Sequence, residues 1–195
     1  MVSAPKIKLF QTHVWFLGFD IHHGLIKRID RAIQFANKFP DQIPDKTQLQ
    51  RFLGSLNYIL DFYQNLWQQC KPLFDRLWTN PPPWTPIHTS VVQEIKKYVK
   101  TLPCLGIPLV NSFKIVQTNA FNIGYGVILL QHTSPNSPEQ IVCFHSGIWT
   151  PTQLNYSTIK KENLFIVLCI SKFQSDLLNQ KFFKVHLVYK TLVNV

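Results

Sequence analysis

Acidic residues are scarce in this chain. Only 10 Asp and Glu stand among 195 residues, against 20 Lys and Arg, and no two aspartates are adjacent. A chemistry that needs several carboxylates in one place has few to draw on. Cysteine is equally thin: Cys70, Cys104, Cys143 and Cys169 form no Cys-x-x-Cys pair, which argues against a zinc ribbon or a dithiol centre and for reduced thiols. No apolar run approaches the roughly 18 residues of a membrane span. The apolar stretch near the start is broken by Gln11, Thr12 and His13. A membrane span and a secretory leader are therefore not expected, and an intracellular setting is. The seven histidines lack metal-ligand spacing, the adjacent His22-His23 pair reading as a turn. His145-Ser146 has neither a third partner nor a nucleophile-elbow glycine pattern, so it is not read as a nucleophile and base.

Apolar and aromatic residues are abundant, at 46% and 13%, enough for a packed core. The formal charge of +10 and the sequence pI of 9.6 favour phosphate backbones or anionic surfaces as partners. Both halves share it, with 13 basic against 7 acidic residues before Cys104 and 7 against 3 from there on. No internal repeat or low-complexity tract interrupts the chain.

Residues Lys6 to Phe10 and His13 to Ile21 predict two strands, followed by a turn at His22-His23-Gly24 and a short return strand. Arg28 to Phe39 predicts a short helix stopped by Pro40. Asp45 is placed to cap a long helix from Lys46 to Tyr63, with Leu49, Phe52, Leu53, Leu56, Ile59 and Leu60 on its apolar face. Another helix begins at Lys71-Pro72, and Asn80-Pro81-Pro82-Pro83-Trp84 is a stiff spacer. Thr85-Pro86 opens a helix to Leu102, and Pro103 to Val110 is a boundary. Beyond it, Phe113 to Gln131 reads as strand, glycine-pinned turn and strand, and 139–156 carries a third strand. Ser157 caps a helix bearing Leu164, Val167, Leu168 and Phe173. The fold class is mixed α/β, a helical piece followed by hairpin strands and a helix. The expected segments are 1–40, 41–103 and 104–195.

Three stretches carry a family resemblance. Trp15-Phe16-Leu17-Gly18-Phe19-Asp20-Ile21 is similar to the strand after the catalytic palm of reverse transcriptases, which grips the primer end. Thr47-Gln48-Leu49-Gln50-Arg51-Phe52-Leu53-Gly54-Ser55-Leu56-Asn57-Tyr58 resembles their thumb. Thr118-Asn119-Ala120-Phe121, Asn122-Ile123-Gly124-Tyr125-Gly126 and Tyr156-Ser157-Thr158-Ile159-Lys160-Lys161-Glu162 resemble the ribonuclease H domain of plant pararetroviruses of the caulimovirus type and related retroelements. The resemblance implies RNA-directed DNA synthesis (a nucleotidyltransferase) and endonucleolytic cleavage of RNA–DNA hybrid, with nucleic acid as partner and Mg²⁺ as cofactor.

The same resemblance puts the family's first catalytic Asp at Asn119, its Glu at Glu162 and its next Asp at Val188, with the last falling beyond Val195. Glu162 is then the remnant of a catalytic and metal-binding set, and Asn119 and Val188 stand at lost Asp positions. The residues agree independently: from Cys104 onward the acids are Glu139, Glu162 and Asp176. On one helix Asp176 would stand roughly 21 Å from Glu162. Glu162 also has an ordinary reading, as an acid near a helix start favoured by the macrodipole. The expectation is a degenerate site that binds no Mg²⁺ productively, in a retroelement polyprotein fragment (an endogenous viral element) without catalysis. Lys27, Arg28 and Arg51, with Lys160 and Lys161, are the expected phosphate contacts. The alternatives are a domesticated nucleic-acid-binding module and a nuclease completed in trans.

Overall fold

Among the described residues, two four-stranded sheets with a helical unit between them organise the chain. The computed structural model describes residues 11–28, 34–134, 136–177 and 183–187. The first sheet is antiparallel, in the order β1 (His13–Phe16), β2 (Phe19–His22), β3 (Leu25–Arg28) and β4 (Leu105–Gly106). Two two-residue hairpins make it. His23-Gly24 turns with φ of 49° and 75°, as the sequence implies, and Leu17-Gly18 turns with 49° and 83°. Positive φ at both central residues suits the right-handed twist of the flanking strands. The second hairpin splits the strand expected over His13 to Ile21; Gly18 makes the reversal possible and Leu17 follows it into the left-handed region. The strand expected at 6–10 lies outside the described residues. Arg28 ends a strand rather than starting a helix, and the described part of that helix is a 3₁₀ turn, Gln34–Lys38.

In the helical unit, α1 (Lys46–Ser55) is capped as expected: the Asp45 carboxylate accepts the Gln48 N–H at 2.7 Å. It does not run on to Tyr63. At Leu56 the chain tightens into 3₁₀ geometry through Phe62. Around the junction the Ser55 hydroxyl donates to the Phe52 carbonyl (2.5 Å) and the Asn57 amide to the Gly54 carbonyl (3.1 Å), local bonds that compete with the α pattern. Two short helices follow, α2 (Leu66–Gln69) and α3 (Lys71–Asp75), then α4 (Pro86–Val99). The cap of α4 is Thr85, whose backbone N–H donates to His88 Nδ1 at 2.9 Å. Leu49, Phe52, Leu56, Ile59, Leu66, Leu73, Val92 and Ile95 are buried together as its core. Each such side chain contributes about 1.5–3 kcal/mol on leaving water.

The second sheet runs β7 (Gln140–Ile148), β6 (Gly124–His132), β5 (Phe113–Ala120), β8 (Phe183–Leu187). The β5–β8 pair is parallel and the others antiparallel. After β7 come α5 (Pro151–Leu154), α6 (Thr158–Lys172) and α7 (Gln174–Leu177). Ser157 caps α6, accepting the Lys160 N–H at 3.4 Å. Phe165 and Cys169 of α6 pack on Val116, Val127, Leu129 and Val142.

The connector between the units is stitched down. Its strand β4 joins the first sheet, so the expected boundary at Pro103 to Val110 is crossed by strand pairing. The side-chain oxygen of Gln131 accepts from the Leu109 N–H (3.0 Å), the Ser112 hydroxyl (3.2 Å) and the Lys114 ammonium (2.7 Å), while its amide donates to the Ile107 carbonyl (2.8 Å). Lys114 is only 1% exposed. Burial pushes its pKa down, against an opposing pull from Asp176. Among the described residues no helix is long and apolar enough to cross a membrane.

Candidate functional site

Strand β5 ends in Thr118-Asn119-Ala120, and successive side chains there take opposite faces. Val116 points at α6, as does Thr118, whose hydroxyl donates to the His186 carbonyl at 3.2 Å and ties β5 to β8. Asn119 points the other way. Its partner across the strand pair is Gly126, where a Cβ would overlap the side-chain oxygen of Asn65. Asn65 itself sits at φ 57°, a conformation that Asn tolerates better than most residues. Beside it the Gln68 amide donates to the carbonyls of Tyr125 and, at 3.4 Å, Gly147, and the Trp67 N–H donates to the Ser146 hydroxyl at 3.3 Å. Residues 65–69 thus lie across the sheet face to which Asn119 points. The Asn119 side-chain oxygen is buried and has no hydrogen-bond partner among the described residues.

Glu162 starts from the opposite face. It lies one helical turn before Phe165, on the stripe of α6 that meets the sheet, and is half-buried. The start of α6 adjoins the β5–β6 turn, where the Lys161 ammonium donates to the Asn122 carbonyl at 3.5 Å. Asn119 and Glu162 therefore share one end of the sheet but attach to different sides of it. Val188 lies outside the described residues; Leu187, just before it, pairs with Thr118. The other two acids of this half are at the far end. Asp176 acts electrostatically on Lys114, at the start of β5, and Glu139 precedes β7, whose first residue pairs with Gln131. Helix α6 also ends at Lys172, so Glu162 and Asp176 do not share a helix. Among the described residues no three His, Cys, Asp or Glu side chains are grouped to hold a metal ion.

The expected phosphate contacts divide. Arg51 on α1, Lys27 on β3 and Lys160 on α6 are exposed, Lys160 lying 5.8 Å from the centre of the Tyr156 ring, and Lys161 is half-buried. Arg28 corrects the expectation. It is 5% exposed, with its guanidinium 4.0 Å from the centre of the Phe19 ring and within 6 Å of the rings of Tyr58 (5.9 Å) and Phe62 (5.8 Å). Burial pushes its pKa down. A guanidinium sealed among rings packs the first sheet onto the helical unit and is not presented to a phosphate backbone.

His145 and Ser146 fall on opposite faces of β7, which agrees with the reading that they are no nucleophile pair. His145 packs beside Tyr125 (ring centres 6.0 Å apart) with its Nδ1 buried, and burial pushes its pKa down to about 4. In the first sheet, His13 Nε2 lies 2.5 Å from Asp20 and receives the Trp15 indole N–H at 2.9 Å. A pocket of about 370 Å³ is lined there by Gln11, His13, Val14 and Trp15. Sequence reasoning missed Asn65 and Gln68 altogether, and weighed Ser146 only as a nucleophile. Their one trace is Gly124-x-Gly126, which has to be read as a place of close approach as well as a turn.

Residues 84–184 match the family model described as an RNase H-like domain found in reverse transcriptase. The enzymatic polyprotein of cauliflower mosaic virus (strain NY8153) is 35% identical over 176 residues, which is 89% of this chain and 26% of the polyprotein. The genome polyprotein of petunia vein clearing virus (isolate Shepherd) is 32% identical over 182 residues, 93% of this chain and 8% of the polyprotein. The chain thus spans 26% or less of the length of these relatives. Among solved structures, the foamy viral protease-reverse transcriptase in complex with RNA/DNA hybrid superposes with a TM-score of 0.75 over 94% of this chain and 25% of that chain. At 21% identity this is a likeness of fold, and it extends through both sheets and the helical unit. The chain belongs to the RNase H-like domain family of reverse transcriptases.

Proposed function

We propose that this chain is a reverse transcriptase-derived segment of a retroelement polyprotein that has lost hybrid cleavage and keeps the capacity to bind a nucleic-acid duplex. The observation that carries the reading is Asn119: where the family resemblance calls for the first metal-bridging carboxylate, there is a neutral amide whose oxygen is buried and has no hydrogen-bond partner among the described residues. Neutralising two Mg²⁺ ions in a hydrolytic site takes three or four converging carboxylates. Glu162 is the one carboxylate that the described residues bring to this end of the sheet, and Val188 offers no ligand atom in its side chain. The residues present do not fit the metal pair, and no catalytic step is derived through it.

Duplex binding is supported by the basic balance and by the exposure of Lys27, Arg51 and Lys160. The foamy viral relative in fold is described in complex with RNA/DNA hybrid. Primer extension is not expected, because the sequence has no adjacent aspartates to hold polymerase metals.

One pair of measurements tests the reading on the purified chain. With Mg²⁺ or Mn²⁺, a labelled RNA–DNA hybrid should remain uncut, and Glu162→Gln should behave as the parent does. In parallel, hybrid affinity should fall with salt, and Arg51→Ala should flatten the log–log slope by about one phosphate contact. Metal-dependent cleavage that disappears in Glu162→Gln overturns the loss of chemistry, and salt-independent or absent binding overturns the retained one.

A further inference from the structure

We infer that the first sheet carries a proton-operated latch: His13 holds the Trp15 indole while its ring is neutral, and releases it to bond Asp20 alone when the ring takes up a proton.

The latch follows from strand geometry. His13 and Trp15 stand two residues apart on β1 and share a face. Trp15 is paired with Asp20 across the hairpin and His13 with His22, so all four side chains lie on one side of it. The Leu17-Gly18 turn, with both residues at positive φ, fixes that register. The opposite side carries Phe19 and Ile26, which pack toward Phe62 and Leu105. The latch face is the one turned to solvent, and Trp15 is 73% exposed on it.

Two groups compete there for one nitrogen. Asp20 Oδ1 lies 2.5 Å from His13 Nε2, a contact that calls for a proton between them. The Trp15 indole N–H reaches the same Nε2 at 2.9 Å and can donate only to a lone pair. A ring nitrogen presents a proton or a lone pair, never both, so the two bonds are alternatives. Neutral imidazole can keep its proton on Nδ1 and accept from Trp15. Imidazolium has a proton on each nitrogen and accepts nothing, while its bond to the Asp20 carboxylate is charge-assisted and roughly twice as strong as a neutral one. Proton uptake therefore removes the indole's acceptor. Histidine is the side chain whose charge ordinarily changes between about pH 5 and 8.

The charged and titratable groups around His13, among the described residues, are few. β2 brings Asp20 and His22, whose ring centre is 5.4 Å from that of His13. His23, in the next turn, stands 5.5 Å beyond His22. β3 brings Lys27, opposite Asp20 and exposed, while Arg28 points to the other side of the sheet among Phe19, Tyr58 and Phe62. Charge on His22 or His23 would act on the same ring, so the three histidines have to be separated. Trp15 and His13 also line the pocket of about 370 Å³ with Gln11 and Val14, and freeing the indole reshapes that wall.

The test is nuclear magnetic resonance of the whole chain from about pH 8 to about pH 5, following the Trp15 indole N–H and the His13 ring nitrogens. Trp15→Phe identifies the indole signal among the five tryptophans. At high pH the indole should show the shift of a bonded N–H, and His13 Nε2 that of an unprotonated nitrogen. Toward low pH the ratio of held to released indole should fall at least about tenfold, in step with protonation of Nε2, since one proton moves an equilibrium by up to about a decade per pH unit. His13→Gln should abolish the indole transition, and His22→Gln and His23→Gln should leave it in place. Three results overturn the latch: an indole signal constant from pH 8 to 5, a transition that persists in His13→Gln, or an Nε2 already protonated at pH 8. If a substitution disturbs the hairpin, the parent's own two curves decide: coincident midpoints for Nε2 and indole support the latch, and separate ones overturn it.

Discussion

On one face of the second sheet, Val116, Val127, Leu129 and Val142 meet Phe165 and Cys169; at one end of the other, Gly126, Ser146 and the carbonyls of Tyr125 and Gly147 meet Asn65, Trp67 and Gln68. The first contact is apolar, so its strength follows area removed from water and its partners are exchangeable within limits of volume. At this end of the sheet the second is made of backbone carbonyls, amides and missing Cβ atoms, while farther along the same face Phe144 is buried with Phe62 and Leu105. The polar contact contributes less per residue and tolerates less, because its donors have fixed acceptors and at Gly126 Asn65 already fills the space of a Cβ. The helix face holds the sheet together, and the polar end decides what may lie against it.

The largest blow to that contrast should come from the apolar side. Phe165→Ala removes a ring that is 1% exposed and packs 4.8 Å, centre to centre, from Tyr125. It should cost about 3–5 kcal/mol in denaturant unfolding. A loss below about 1 kcal/mol, the scale of an ordinary surface change, would mean that α6 is not anchored there.

Gly126→Ala should cost less, about 1–3 kcal/mol, because Asn65 must move aside. Its mark is location: exchange at Trp67 should rise while the amides of β5 and β6 stay protected. Uniform loss of protection would show that the two faces cannot be separated energetically.

The third test is a titration on the apolar face. His145 has its pKa lowered to about 4, so between about pH 6.5 and 4 the unfolded chain binds a proton that the folded chain refuses. Stability should therefore be full above about pH 6.5 and fall as pH drops toward 4, by on the order of 2 kcal/mol after allowance for its partial exposure. His145→Asn should flatten that slope in pH-dependent melting. An unchanged slope would assign the acid sensitivity elsewhere.

How much of this the sequence discloses depends on the range over which each signal acts. Asp45, Thr85 and Ser157 announce helix starts because a cap is a contact over three residues, and all three hold. The alternation in Phe113 to Ala120 and the glycines after it place β5 and β6 for the same reason. The tightening at Leu56 is hidden, since the apolar stripe over Leu49, Phe52, Leu56 and Ile59 serves α and 3₁₀ geometry alike. Arg28 was misread because charge suggests a surface, while its cage of Phe19, Tyr58 and Phe62 is assembled from segments about ten to thirty residues away. The site divides in the same manner. A strand end at Asn119 and a helix start before Glu162 are legible, but the segment laid against Gly126 and Ser146 comes from more than fifty positions earlier, and no local pattern encodes it.

Gln131 carries a consequence for how the chain could be taken apart. A protease must draw several residues of backbone into its cleft, and it favours loops that yield. Pro108 to Asn111 are exposed and sit between the two units, which makes them look like the place to cut. Yet one side chain gathers Ile107, Leu109 and Ser112, so the segment is riveted at both ends. Limited digestion would separate the two units only after Gln131 had let go.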